Sequence, residues 1–344
     1  MREGLAAIST NIVGLMRYQS TTGGDVDKEA ASSWLSVRDM FPRLDRVAIT
    51  PGARPTIFAM LMLLTSPGDT ILSEGVTYAG MCGIAARLSL NVEEMEGDAD
   101  GILPDALARA IKRHGPKALY LNLTLNNPTT RTIPADRREA IAAVLNSHGL
   151  PLIEDDAYGF IPAHAHAPAA LATMAPELTW RMSAGRPNAS GPGCGWPIPS
   201  RRTRGRRTSA QCCETSNVMP SPLSMALATR WIVVGAADAI RGFVRAESAH
   251  RQAIASEVLA GQDLDSDPSA FNIWLRLPPG RGRAEIIGLM AGAGIGVMPS
   301  DGFTVIGATA EAIRVCLGGG ATRTGLDAGL SLLAGALDPA NWHG

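Results

Sequence analysis

Along the first half of the chain, short apolar runs alternate with stretches of helical periodicity. Val47-Ala48-Ile49-Thr50 predicts a strand running into the turn Pro51-Gly52, and Pro55 to Leu64 an apolar helix after it. Asp69 to Ser73 predicts a second strand after the turn Pro67-Gly68, Ala79 to Leu88 a helix, and Val92 to Met95 a strand. Leu103 to His114 has the helical period, with Pro104 and Asp105 suited to a first turn. Ala118 to Asn122 predicts a strand, Asp136 to His148 a helix, and Leu152-Ile153-Glu154 a buried strand ending in acids. Strands separated by helices imply βαβ units, a parallel sheet and an α/β fold. Ligands in such sheets sit beyond the carboxyl ends of the strands.

The last third has a different pattern. Asn272 to Leu277, Ile295 to Met298 and Ile313 to Leu317 predict strands, and Arg283 to Ala291 and Thr324 to Leu337 predict helices. This predicts a small α+β domain from about Glu247, hence a large unit over 1–246 and a small one over 247–344. No internal repeat is visible.

Composition narrows the class. At 344 residues with 46% apolar side chains, the chain can bury a sizeable core. A net charge of -1 argues against a general polyanion binder, so no nucleic-acid partner is expected of this chain alone. Cys82, Cys194, Cys212, Cys213 and Cys316 show no framework spacing, and an odd, sparse count fits a reducing compartment. The N-terminus has no long apolar signal core, and no apolar run reaches the roughly 20 residues of a membrane span. A cytoplasmic protein with no membrane partner is expected. Lysine is rare: Lys28, Lys112 and Lys117 stand against 28 arginines, as in a GC-rich coding sequence.

Five local signals carry chemistry, each beside a bland reading. Thr50-Pro51-Gly52-Ala53-Arg54-Pro55 opens a helix, where free N–H groups and the helix dipole favour an anion; taken alone, a tight turn explains it better. Tyr78, in Glu74-Gly75-Val76-Thr77-Tyr78, places an aromatic at the sheet's edge, or simply packs. Asn126-Asn127-Pro128-Thr129 fixes an extended turn with an amide free to bond, or is an ordinary turn. Glu154-Asp155-Asp156-Ala157-Tyr158 ends an apolar strand with three acids, costly unless paired or solvated. A pyridinium N–H would satisfy one of them; a metal is the rival, with His164 and His166 nearby. Arg314 stands inside an apolar strand and wants a carboxylate or phosphate, or an internal salt bridge.

Together, Ile-Thr-Pro-Gly-Ala at 49–53, Glu74 to Gly80, Asn126 to Thr129 and Ile153 to Tyr158 resemble the class I and II aminotransferases. These are pyridoxal 5'-phosphate (PLP) enzymes of fold type I. The resemblance runs from about Arg17 to Leu337 and is nearest to the aminotransferase-like domain of MocR-type, GntR-family regulators. It implies a three-layer, aspartate aminotransferase-like large domain with a mainly parallel sheet, plus a small C-terminal α+β domain. It implies PLP as cofactor, an amino acid and a 2-oxo acid as substrates, and a homodimer. By the same resemblance Gly52, Ala53 and Arg54 bind the cofactor phosphate and Tyr78 stacks on the ring. Asn127 and Tyr158 bind its phenolic oxygen, Asp155 pairs with its nitrogen, and Arg314 grips the substrate carboxylate. Two residues depart from the pattern: Thr130 where glycine is usual, and Arg54 where Gln or His is commoner. The alternative is the PLP- or amino-acid-binding effector domain of a MocR-type regulator. This chain starts too late for the winged helix of those regulators, and the N-terminal arm also reads as truncated.

The family's Schiff-base lysine follows the aspartate–tyrosine motif, but no lysine follows Lys117. Its expected place falls within Arg181 to Glu214, a segment with seven arginines, three cysteines and no Leu, Val or Phe. A basic linker, a nucleic-acid patch at Arg201 to Arg207 and a disordered loop each fit such composition. A frameshift fits better. Read from the third base of each codon, ordinary codons for Ala184 to Ala189 give Gly-Pro-Ser-Lys-Cys, and suitable codons beyond give Gly-Leu-Arg. The hidden lysine codon straddles Pro187 and Asn188. On this reading no residue as written is the catalytic lysine, and the segment is expected to be irregular, exposed or poorly packed.

Overall fold

The computed structural model describes residues 2–163, 167–174, 180–184, 193–197, 219–305, 307 and 310–341. Seven strands build the main sheet: β1 (Ala48–Thr50), β2 (Thr70–Glu74), β3 (Asn91–Met95), β6 (Ala118–Leu121), β7 (Leu152–Asp155), β8 (Trp180–Ala184) and β9 (Gly193–Pro197). Their order is β1-β9-β8-β7-β6-β2-β3. β9 runs antiparallel to both of its neighbours, and every other pair is parallel. Two short strands, β4 (Gly97–Asp98) and β5 (Gly101–Ile102), form a hairpin beside β3.

Alternation along the central strands builds the three layers. Leu72, Leu119, Leu121 and Leu152 point to one face, covered by the helices Pro104–His114 and Ala135–His148. Ile71, Ala118, Tyr120 and Ile153 point to the other, covered by Ala53–Leu64 and Ala79–Arg87. A sheet buried on both faces explains why these strands read as continuous apolar runs.

A second sheet, in the order β10-β11-β13-β12, is antiparallel throughout: β10 (Leu264–Asp265), β11 (Asn272–Arg276), β12 (Gly296–Pro299) and β13 (Ala312–Cys316). Ile313 and Val315 of β13 face a core shared with the helix Arg323–Leu337, so Arg314 between them must point the other way, toward the main sheet.

The structure adds helices at Arg2–Ser9, Ile12–Leu15, Asp25–Leu35, Pro222–Val233 and Ala236–Val258. The last crosses position 247. Its first turn packs Ala237 with Trp34 and Phe160, and its last turns pack Ala255 and Val258 on the small sheet's core. The expectation of irregular backbone throughout Arg181–Glu214 is corrected at two places, because Arg181–Ala184 lies in β8 and Gly193–Pro197 is β9. A strand ladder is made by backbone groups, so a foreign side-chain pattern can still pair. The rest of that segment lies outside the described residues. No single helix among the described residues is long and apolar enough to cross a membrane.

Candidate functional site

The predicted residues gather at the carboxyl ends of β2, β6 and β7, where β13 reaches across. β1 ends at Thr50, and at Gly52, whose φ of 151° suits glycine alone, the chain turns into Ala53–Leu64. Thr50 and Thr56 close the turn, their hydroxyls 2.5 Å apart, while Thr56 Oγ1 donates to the Gly52 carbonyl at 2.8 Å. Ala53 and Arg54 occupy the first turn of that helix, where N–H groups lack intrahelical partners. The exposed Arg54 guanidinium acts on Tyr78, whose hydroxyl is pushed up chiefly by burial while Arg54 draws it down.

The loop after β6 is a web of amide bonds. Asn122 Oδ1 accepts the Asn127 N–H at 2.6 Å, and Asn122 Nδ2 donates to the Asp155 carbonyl at 2.6 Å. Asn126 Oδ1 caps Thr129, and its Nδ2 donates to Glu74 Oε2 at 3.1 Å. Burial pushes Glu74 up to about 7, opposed by the donors Asn122 N–H and Asn126 Nδ2. Thr130, where the family favours glycine, sits at φ 62° and is buried. A β-branched residue is strained there, which gives the usual glycine its physical reason. Arg138, fully buried, clamps the loop from behind by donating to the carbonyls of Leu123, Ile133 and Ala169.

The three consecutive acids have three different environments. Glu154 accepts the N–H groups of Leu171 and Ala172 at 3.0 Å each, and Asp156 is ion-paired with buried Arg38 at 3.2 Å. Asp155, 4% exposed, accepts the Tyr120 hydroxyl on Oδ2 at 2.7 Å, while its buried Oδ1 has no hydrogen-bond partner among the described residues. Burial pushes Asp155 up to about 6, and the Tyr120 bond is the largest effect opposing it. Among the described residues no three His, Cys, Asp or Glu side chains cluster to hold a metal; His164 and His166 lie outside those residues.

Arg314 completes the group. Its Nη1 donates to Asn127 Oδ1 at 3.0 Å, Nη2 lies 3.1 Å from Met298 Sδ, and its Cζ stands 5.2 Å from the centre of the Phe303 ring. Among the described residues Arg314 has no ion pair, and its buried Nε has no partner. Tyr158 packs on Phe271 with ring centres 5.6 Å apart, and burial pushes its hydroxyl up to about 12, eased by Arg314. Tyr78, Asn127, Asp155, Tyr158 and Arg314 are thus linked by contacts or mutual electrostatics. Pro187 and Asn188, the expected place of the lysine, lie outside the described residues. Tyr120, Asn122, Arg138 and Phe303 escaped the sequence reading. Tyr120 had one legible signal: strand alternation places it on the same sheet face as Ser73 and Asp155.

Comparisons with known proteins agree with this architecture. The model of the family described as aminotransferase class I and II matches residues 6–181. The HTH-type transcriptional regulator YdeF of Bacillus subtilis is 26% identical over 90% of this chain and 67% of its own length. The regulator YdcR of Escherichia coli is 26% identical over 46% of this chain, and the matched part spans only 34% of that protein. The mitochondrial kynurenine/alpha-aminoadipate aminotransferase of Bos taurus is 27% identical over 33% of this chain and 30% of its own length. Among solved structures, an archaeal alanine:glyoxylate aminotransferase superposes with a TM-score of 0.86 at 18% identity, covering 97% of this chain and 85% of that one. The alpha-aminoadipate aminotransferase LysN of Thermus thermophilus gives 0.82 at 19% identity, covering 98% of this chain and 88% of that one.

Proposed function

The chain belongs to the aminotransferase class I and II family, and on that premise we propose that it binds pyridoxal 5'-phosphate and is built to handle the amino group of an amino acid. The observation that carries this reading is Asp155 Oδ1, a buried carboxylate oxygen with no hydrogen-bond partner among the described residues. Leaving it so is costly unless a donor arrives, and a pyridinium N–H is a donor of the right kind. The fit extends to Arg314, whose positive charge is met only by neutral groups among the described residues and is left for a ligand carboxylate.

Gly52, Ala53 and Arg54 would hold the cofactor phosphate, Tyr78 the ring face, Asn127 and Tyr158 the phenolic oxygen, and Asp155 the ring nitrogen. Arg314 would orient the substrate through its α-carboxylate. When bound, the cofactor supplies an electron sink for electrons released at the substrate's Cα. The chain's own residues bind, orient and exclude water, but the nucleophile and proton shuttle of the family is a lysine. None is written after Lys117, which precedes β6 at the sheet edge opposite Asp155. The reading is therefore a binding-competent but catalytically impaired aminotransferase. The out-of-frame reading restores a lysine across Pro187 and Asn188, and resequencing codons 175–220 tests it.

A second reading is favoured by the similarity to YdeF over 90% of the chain: a PLP- or amino-acid-binding effector domain of a transcriptional regulator. A winged-helix reading frame fused upstream would support it. We also propose units at 1–246 and 247–344, a homodimer, and a cytoplasmic location. Titration of the purified protein with PLP tests the main reading. It predicts saturable binding with no borohydride-trapped adduct in the peptide Arg181–Glu214, and absence of binding overturns it.

A further inference from the structure

Tyr120 sits inside β6, fully buried, in a run whose other members Ala118, Leu119 and Leu121 are apolar. A buried phenol needs a partner for its hydroxyl, and this one donates to Asp155 Oδ2 at 2.7 Å. That bond divides the carboxylate. Oδ2 is engaged inside the fold, whereas Oδ1, also buried, has no partner in hydrogen-bonding geometry among the described residues. The Ala157 N–H also favours the ionised form of Asp155. Two residues beyond Tyr120, Asn122 donates to the Asp155 carbonyl. The chain of β6 and its following loop therefore holds this aspartate by both backbone and side chain.

We propose that Tyr120 is a positioning residue, locking the Asp155 carboxylate so that Oδ1 alone faces the cofactor's ring nitrogen in ionised form. The proposal rests on the role given to Asp155 above. Burial works against ionisation, and Asp156 adds to it; the Tyr120 bond is the largest opposing effect. The other ionisable groups around the pair are Tyr78 and Tyr158, each raised by Asp155 and eased by Arg314, with Arg54 also acting on Tyr78. Glu74 acts on Tyr120 from β2. The hydroxyl of Tyr120 is itself held well above its ordinary range by burial and by Asp155, so it stays a donor at any working pH. Tyr120→Phe keeps the ring and removes the donor. Loss of one charge-assisted bond moves a carboxyl's midpoint up by about one to two pH units.

The test has two arms on the full chain. An infrared pH titration of the cofactor-free protein, with Asp155→Asn as the subtraction control, follows the Asp155 carboxyl directly. Its midpoint is expected to rise by about one to two pH units in Tyr120→Phe. Calorimetric titration with pyridoxamine 5'-phosphate, which cannot condense with Lys28, Lys112 or Lys117, reads affinity. Tyr120→Phe is expected to bind several-fold to about tenfold more weakly at pH 7, with the gap closing as pH rises past the new midpoint. The cofactor's own ionisations are common to both proteins and cancel in the ratio. Tyr120→His, which restores a donor, should recover part of both effects and carries the comparison if Tyr120→Phe does not fold. Wild-type protein that binds no pyridoxamine phosphate overturns the cofactor reading, while the infrared midpoint still judges the hold of Tyr120 on Asp155. Unchanged midpoint and affinity in a folded Tyr120→Phe overturn the inference, even if that variant melts lower.

Discussion

The carboxyl edge of the seven-stranded sheet and the core under the four-stranded sheet both bury side chains, yet they are filled by opposite rules. Beneath the small sheet, Ile273, Leu275, Ile286, Ile313, Val315, Leu326, Leu330 and Leu333 meet in an apolar cluster. Charged groups stay at its rim, where Glu247 bridges Arg251 and Arg323 at 2.7 and 2.6 Å. At the carboxyl edge, Glu74, Glu154 and Asp155 are all held above the ordinary carboxylate range by burial, and Asp155 Oδ1 has no partner among the described residues. A protein does not keep such groups for stability, because an apolar filling of the same volume is as stable or more so. The difference is the one expected between a scaffold and the binding site proposed above.

The comparison can be broken most forcefully in the scaffold. Leu330→Ala, at a position with no exposure, should cost about 2–5 kcal/mol in stability and leave cofactor affinity unchanged, as judged by urea denaturation and calorimetry. A parallel loss of affinity would mean that the two regions are not independent. At the edge the balance reverses. Asp155→Ala should weaken cofactor binding by about 1.5–3 kcal/mol, roughly one to two decades in affinity, with a smaller change in unfolding free energy. Unchanged affinity would assign the acids to some other ligand.

The pH dependence of stability sharpens the contrast. Glu74 stands at about 7 in the folded protein against an ordinary 4.5, and Asp155 at about 6 against 3.8. Between these limits the folded chain holds more protons than the unfolded one. Stability should therefore fall as pH rises from about 4.5 to about 7 and level off above. Glu74→Gln should flatten that slope by on the order of 2 kcal/mol, measured by urea midpoints across the window; an unaltered slope would place the titration elsewhere. The smallest effect belongs to the rim. Arg323→Ala, at a side chain 51% exposed, should move the urea midpoint only slightly, and less again in high salt.

The layered fold and the residues of the candidate site were legible in the chain's own pattern and motifs. The period of apolar residues marks which segments are strands and helices, because burial on one or both faces demands it. The carboxyl-end rule then places Gly52, Tyr78, Asn127 and Asp155 at one edge. The missing lysine is likewise a fact of sequence alone. How Glu154, Asp155 and Asp156 divide their labour depended on packing, since neighbours in a strand point to opposite faces and meet partners far apart in the chain. Leu171, Tyr120 and Arg38 take one each. Tyr120 was hidden for the same reason. In an apolar strand a tyrosine reads as packing, and its function comes from a hydrogen bond across 35 residues of chain. Periodicity reports which residues are buried; which buried polar atoms find partners is settled only when distant strands are laid side by side.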